Sequence, residues 1–433
     1  MNRILRSLLL TGIMIPLFFG QGKVQASADL TNEDLEYSTT VRTILFYKEG
    51  FEMSAPVMLL NSQERLVLSF DDLAEDLRQY RFTIRHCTAD WSESSDLLPT
   101  DYIAGFGEDR IEDYSYSFNT TVSYIHYSLV FPTAGLRPKI SGNYLLIVYP
   151  EDPGDPSFTR RFRVVETSPV GITGKIGQSV NIQDRLSRQE VDFTVSLNGM
   201  QVSDPVHDLK IMITQNDRWD NAVRNAKPRF VRPESLDFTF DERNTFNGGN
   251  EFRAFDTKSL VYRSERIGVI LYDYSGIQVY LLDDPPRPLR NYVTDKDING
   301  RMFIKNEDHA TNSDIEADYT WIHFTLPVNA MLPDRTVHIL GALTGWQIND
   351  STRMDWDPAG KAYTKKILFK QGYYNYLYIT RDKRTGATDE GFFEGNHWET
   401  ENEYTVWVYY REPGGLYDRL IAVQNLNSAS QKG

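Results

Sequence analysis

One cysteine, seven histidines and 46 Lys and Arg against 60 Asp and Glu are what this 433-residue chain has little of, and each shortage closes off a class of protein. A single thiol cannot form an intrachain disulfide, so the fold must stand on its cores. Cys87, in the run Ile84-Arg85-His86-Cys87, reads as a small buried residue of a strand. No two of the histidines fall within five residues of each other, which removes any local metal-binding pair. Glu394, His397, Glu399 and Glu401 are the one tight group of ligand-type side chains, and they read as a solvated turn. The net charge of −14 excludes nucleic acids and anionic membrane surfaces, both of which recruit Lys and Arg patches. There is no nucleophile elbow, phosphate-binding Walker loop, dinucleotide fingerprint or zinc-binding helix motif. The many carboxylates show no spacing that singles out an acid and base pair. The expectation is a non-enzymatic protein with no catalytic residue, no metal and no cofactor.

Long apolar runs are also missing beyond the start of the chain. Residues 1–28 read as an export signal: Arg3 and Arg6, then the apolar stretch Leu8 to Phe19, then the small-x-small site Ala26-Ser27-Ala28. That stretch is too short for a bilayer span, which takes about 20 residues. A mature chain starting near Asp29, exported and without a membrane span, is expected.

What the chain has in quantity is aromatic residues, 25 Tyr and 23 Phe, which favour sheets and bury large areas. Alternating runs recur throughout. Thr39–Phe46, Arg65–Phe70, Tyr80–Cys87, Tyr114–Phe131, Asn143–Tyr149 and Phe158–Val165 predict an immunoglobulin-like sandwich over residues 29–167, with a long loop at 96–107. A central β domain is expected over 168–309, with a short helix at Trp219–Ala226 and a stiff Pro-rich stretch at Asp283–Pro288. Tyr319–Leu326, Thr336–Leu340, Ala362–Phe369, Tyr373–Thr380 and Tyr404–Tyr410 predict an early-set or immunoglobulin-like sandwich over 310–433. The fold class expected is all-β: three consecutive sandwiches with little helix. His323 and His338 fall on such strands and read as partly buried, hydrogen-bonded residues.

The stretch Phe238 to Asp256 stands out. Phe238 and Phe240 alternate with Thr239, Asn247-Gly248-Gly249-Asn250 tolerates positive φ, and Phe252 and Phe255 return the chain to an apolar setting. A Gly-rich hairpin pinned on a sheet by phenylalanine is the plain expectation, with positive φ at both Gly248 and Gly249. No helical pattern or Lys-Ser pair follows the glycines, which argues against a phosphate cradle.

Four stretches together resemble the type IX secretion system Plug protein family of Gram-negative bacteria. They are Ile211-Met212-Ile213-Thr214-Gln215-Asn216 with Trp219; Asn247-Gly248-Gly249-Asn250-Glu251-Phe252-Arg253; Asp297-Ile298-Asn299-Gly300-Arg301 within Tyr292–Asp308; and Glu394 to Asn402. The resemblance spans most of the chain after the leader. It implies a periplasmic protein that closes the inner mouth of the outer-membrane translocon barrel while no substrate occupies it, with that barrel as partner. The Asn247–Arg253 loop is then a structural or interaction element.

An alternative lies in the C-terminal region. Leu340-Gly341-Ala342-Leu343-Thr344-Gly345-Trp346, then Trp356, then Gly372-Tyr373-Tyr374-Asn375-Tyr376 resemble glycogen- and starch-binding sandwiches, in which exposed Trp rings stack on sugars. Trp346 and Trp356 are the candidate platform and carbohydrate the candidate ligand of an envelope protein. The competing reading puts both rings in a core or an interdomain seam.

Overall fold

The computed structural model describes residues 30–74, 76–92, 97–308 and 311–429. The expected leader at 1–28 and the end of the tail, 430–433, lie outside them, as does His309 at the expected second boundary.

The chain is all-β and builds three sandwiches. In the first, Leu35–Glu36, Phe158–Val165, Gly142–Tyr149, Arg81–Cys87 and Asp109–Arg110 form one sheet, with Val57–Leu59 added parallel to Phe158–Val165. Val41–Lys48, Leu66–Asp72, Ile125–Phe131 and Asp113–Tyr116 form the other. Period-two patterning explains the packing: in Arg81–Cys87, Phe82, Ile84 and His86 are buried while Arg81, Thr83 and Arg85 are half-buried. Gly142–Tyr149 is buried on both faces. Tyr144, Leu146 and Val148 enter the first core, while Leu145, Ile147 and Tyr149 join Cys87 and Trp91 on the other side. The expected Tyr114–Phe131 run is a hairpin, and the expected loop at 96–107 contains a helical turn, Pro99–Tyr102, and the strand Ile103–Gly105.

The second and third sandwiches are nested. Gly171–Gln178, Arg188–Ser196, Ser235–Asp237 and Phe230–Arg232 form one sheet of the second, with Thr245–Asn247 beside Arg188–Ser196. Its other sheet is Leu209–Gln215 paired with Glu403–Tyr410, which pairs with Arg419–Asn427. The second core therefore mixes Val191, Phe193 and Ile213 with Val406, Val408 and Ile421. The third sandwich is inserted between these parts. It packs Arg253–Asp256, Met302–Ile304, Arg335–Leu340, Gly372–Asp382 and Thr388–Asp389 against Ile267–Asp273, Gly276–Leu281, Tyr319–Pro327, Asp355–Asp357 and Ala362–Lys370. The linear division at 309 does not describe this pairing. Gly276–Leu281 lies parallel to Tyr319–Pro327 in one sheet across that boundary, and the last two strands return to the second sandwich.

Two local expectations are corrected. Trp219–Ala226 is not a helix: Val223 bridges Ile213 by two backbone hydrogen bonds of 2.9 and 3.0 Å. Asn225, inside the stretch, holds φ +57°, which a right-handed helix does not accommodate. The Phe238–Asp256 stretch is not a hairpin. Thr245–Asn247 belongs to the second sandwich and Arg253–Asp256 to the third, so the Gly-rich corner is the crossing between them. Phe238 is buried and stacks on Phe193 at 4.4 Å, whereas Phe240 is exposed with φ +53°.

Candidate functional site

The four stretches singled out in the sequence meet at that crossing. Gly248 donates its N–H to the Ser187 carbonyl (2.8 Å), and its own carbonyl accepts from Asn402 Nδ2 (2.8 Å). Gly249 has φ +66°; its N–H donates to Asn396 Oδ1 (3.2 Å), and its carbonyl accepts from the His397 N–H (2.8 Å) and the Thr400 hydroxyl (3.0 Å). Asn250 Nδ2 donates to the Glu394 carbonyl (2.8 Å). The loop is thus laced, mostly through backbone groups, to residues 394–402. The two glycines have different reasons. Gly249 needs its conformation, whereas Gly248 does not have positive φ; a Cβ there would be driven into the His397 carbonyl oxygen. Positive φ at both was the expectation, and close approach is the cause at Gly248.

The third stretch closes the other side. The Phe252 N–H donates to Asp297 Oδ2, and Asn375 Oδ1 accepts from Ile298 (2.6 Å). Gly300, at φ +77°, leaves room for the rings of Phe252 and Trp346, which meet edge to face at 6.0 Å. Arg301 donates to Asp217 (2.8 Å) and Glu403 (2.5 Å), so it ties the inserted sandwich to both sides of the second. From the first stretch, Asn216 Nδ2 donates to Asn402 Oδ1 (2.8 Å), and Gln215 Nε2 donates to the Asn247 carbonyl (3.0 Å).

Charges at the crossing are buried and paired. Arg253 donates to Glu394 (3.0 Å) and Asp284 (3.2 Å), and Arg287 donates to Glu394 at 2.6 Å. Burial pushes the Glu394 carboxyl up, but Arg253 and then Arg287 outweigh it and hold it below the ordinary range. Asp284 also accepts from the hydroxyls of Tyr376 (2.5 Å) and Tyr378 (2.8 Å). Glu251 differs, since no cation pairs with it among the described residues. Its Oε1 accepts from the Tyr292 hydroxyl and the Glu401 N–H, and its Oε2 is buried with no hydrogen-bond partner. Burial pushes its carboxyl up to about 7, and burial likewise raises Asp297 to about 6. Polar groups here hold backbone and pair with one another, and the arrangement is a joint between sandwiches rather than a reaction centre.

Other residues of this joint carry no sequence signal of their own. Gln189 donates to the Trp398 (2.6 Å) and Thr400 (2.7 Å) carbonyls from a strand 200 residues away in the chain, and its Oε1 accepts from Tyr404 (2.6 Å). Nothing in the run Arg188–Ser196 marks it, because polar residues such as Glu190 and Asp192 recur there beside apolar ones.

Trp346 and Trp356 are both half-buried. Arg218, itself buried, lies 4.9 Å over the Trp346 ring, and Trp346 packs on the cluster of Phe252, Leu340 and Leu377. Trp356 packs on the third core, 5.2 Å from Tyr363. Both rings are engaged in packing. Glu394 lies in the ion-pair network rather than on a solvated turn. Among the described residues no group of His, Cys, Asp or Glu is arranged to hold a metal ion. His338 hydrogen-bonds Thr352 and Thr336, and His323 bonds Gln278, as partly buried strand residues do. Among the described residues no helix is long and apolar enough to cross a membrane.

Comparison with known proteins adds two findings. The sequence model of the type 9 secretion system plug protein first domain matches residues 41–166, the extent of the first sandwich. Among solved structures, the crystal structure of a hypothetical protein from Parabacteroides merdae ATCC 43184 is similar, with 33% identity and a TM-score of 0.88 over 92% of this chain and 100% of that one. A search of curated proteins finds no match.

Proposed function

The chain belongs to the type IX secretion system plug family, and from that premise we propose that it closes the periplasmic side of the outer-membrane translocon barrel when no substrate is present. Membership ties it to type IX secretion and to the cell envelope; the barrel as partner and the periplasmic face are the proposal. The observation that carries it is the first-domain match.

Physical features support a closing role. A body that covers a wide pore must not deform, and the three sandwiches are joined by buried polar seams rather than loose linkers. Besides the crossing just described, Asp71 of the first sandwich accepts from Lys370 (2.6 Å) and Tyr319 (2.7 Å) of the third. Asp418 of the second accepts from the Ala89 N–H of the first (2.9 Å). An acidic surface, with a net charge of −14, suits a contact that must release.

Deleting the gene should make the outer membrane leaky to large hydrophilic compounds, and the leak should vanish when the translocon barrel is deleted as well. Unchanged permeability in a deletion strain that still assembles the barrel would refute the proposal.

A further inference from the structure

A long crevice separates the first sandwich from the other two. It consists of three hollows of about 520, 240 and 700 Å³. The first two share Ile44 and Arg160 as walls, and the last two share Met53 and Arg301. One strand runs beside all of it. Val41–Lys48 contributes Arg42, Thr43 and Ile44 to the first hollow, Ile44 to Tyr47 to the second, and Lys48 to the third. It is the last strand of its sheet and, apart from a bridge between Lys48 and Phe51, pairs with Leu66–Asp72 alone among the described residues. At the ends of its other edge the Lys48 N–H donates to Ser54 Oγ (3.0 Å), the Lys48 carbonyl accepts from the Phe51 N–H (2.8 Å) and the Val41 carbonyl accepts from Arg42 Nη1 (2.9 Å). Between them, around Ile44 and Phe46, the backbone has no partner among the described residues, and such an open edge is the standing template for another strand.

That edge carries an outlier. The ladder slips between Arg42 and Leu45, and Thr43 holds φ +51°, a costly conformation for a β-branched residue. The Thr43 hydroxyl bonds the Tyr319 hydroxyl (2.7 Å), which donates to Asp71, so the buried seam below holds the bulge in place. Bulges at sheet edges commonly re-aim a neighbouring side chain, and here the neighbour is Arg42.

Cations outnumber acids along the first two hollows of this anionic protein, while in the third Glu64, Asp217 and Glu403 face Lys48 and Arg301. Arg42, Lys365 and Lys366 of the first hollow, and Arg161 and Arg163 of the second, have no carboxylate within ion-pair distance among the described residues. Lys366 lies 4.6 Å over the Trp321 ring and Arg163 lies 4.0 Å over Trp407, while Arg163 Nε is buried without a hydrogen-bond partner. Most acids nearby are engaged: Glu36 accepts from Arg160 (2.8 Å), Asp34 from the Arg161 N–H (2.7 Å), Glu64 from Lys48 (2.5 Å), and Asp217 and Glu403 from Arg301, whereas Glu52 of the second hollow has no cation within ion-pair distance among the described residues.

We propose that this crevice is a docking groove for an extended, carboxylate-bearing peptide segment of another protein, which adds as a strand to the open edge of Val41–Lys48. Main-chain pairing supplies affinity in this mode, and alternate side chains supply specificity. The hollows follow all eight residues of the strand, roughly 26 Å, a length that fits a peptide rather than a small molecule, with strand pairing centred on Ile44 to Phe46. Carboxylates on the incoming strand would meet Arg42, Lys366 and the Arg161–Arg163 pair. The open backbone row favours a peptide over an anionic saccharide, which has no strand to pair. The inference does not depend on the closing role.

A random ten-residue peptide library displayed on phage and selected on the full chain tests it. Enriched peptides should carry Asp or Glu at alternate positions. They should bind at least about tenfold more weakly to the Arg42→Glu/Lys366→Glu variant, a loss of roughly 1.4 kcal/mol, and slow amide exchange at residues 42–47 in the bound state. If that variant does not fold, the wild-type chain still decides: affinity for the same peptides should fall steeply with salt. No enrichment, enrichment of basic peptides, salt-independent binding or unchanged exchange at 42–47 would overturn it. Polygalacturonate that binds through the same cations, with no peptide doing so, would reassign the groove to an anionic saccharide.

Discussion

The first sandwich closes its core from one uninterrupted run, Val41 to Val164, whereas the second draws on Val170 to Phe246 and then waits for Tyr404 to Leu426. Both are aromatic-rich β-sandwiches of similar chemistry. Contiguity is the difference, and it governs what each tolerates. A contiguous unit answers to its own residues, while a split one depends on whatever is inserted within it and on the joint that brings its halves together.

The severest way to break the contrast is to remove residues 401–433. Leu209–Gln215 would lose Glu403–Tyr410, its one strand partner among the described residues. Hydrogen exchange should show protection abolished in Gly171–Gln178 and Arg188–Ser196, a loss on the scale of a whole domain's stability, about 5–15 kcal/mol, with protection kept in the first sandwich. Retained protection in both regions would mean that the second core closes without its C-terminal half.

Next is the seam between the first and third sandwiches. Burial pushes the Asp71 carboxyl up, but Lys370 and then His126 hold it below the ordinary range. Lys370→Met leaves that buried carboxylate short of its cation and should cost about 3–5 kcal/mol. An unchanged denaturation midpoint would show that the first sandwich takes no support from the third.

The joint itself distinguishes close approach from backbone conformation. Gly248→Ala forces a methyl against the His397 carbonyl and should cost roughly 1–3 kcal/mol by overpacking. Gly249→Ala meets open space and carries only the left-handed penalty, about 1 kcal/mol. Thermal unfolding of the pair checks the order, and a reversed order would remove the steric account of Gly248.

The smallest effect is one of pH. Glu251 keeps its proton in the folded chain up to about 7, while the unfolded chain loses it near 4.5. The folded state therefore binds more protons between those values, and stability falls as pH rises through the window. Asp297, raised to about 6, adds to the slope with the same sign. Glu251→Gln should flatten that slope and be more stable than the wild type at pH 7 by on the order of 1 kcal/mol. Parallel pH profiles of stability for the two proteins would contradict the buried, uncompensated carboxyl.

The same contrast explains what could be read from the residues. Period-two alternation announces strands such as Arg81–Cys87 and Tyr319–Pro327 wherever they pair, so the all-β class and the strands of the first sandwich were legible. Pairing partners were not. Tyr404–Tyr410 alternates equally well as the end of a third sandwich or as the return to a second, and nothing local to it names Leu209–Gln215. The crossing was visible as an unusual glycine pair, yet its purpose lay in the His397 carbonyl some 150 residues on. The platform reading of Trp346 came from the resemblance of residues 340–346, Trp356 and residues 372–376 to sugar-binding sandwiches; Arg218, 4.9 Å over its ring, belongs to another sandwich and could not be placed there from the sequence.

Nesting also sets an order in time. The Trp407 indole donates to Thr214 across 193 residues of chain, so the second core cannot close until nearly the whole polypeptide has emerged. Ends that must meet across such a loop meet late, after local units have formed. The first sandwich can be finished while the rest is still unfolded, and the joint at Gly248 is among the last contacts made. A half-made chain is therefore half-built in a defined way: one complete sandwich, one waiting sheet, and no finished body until the last strands arrive.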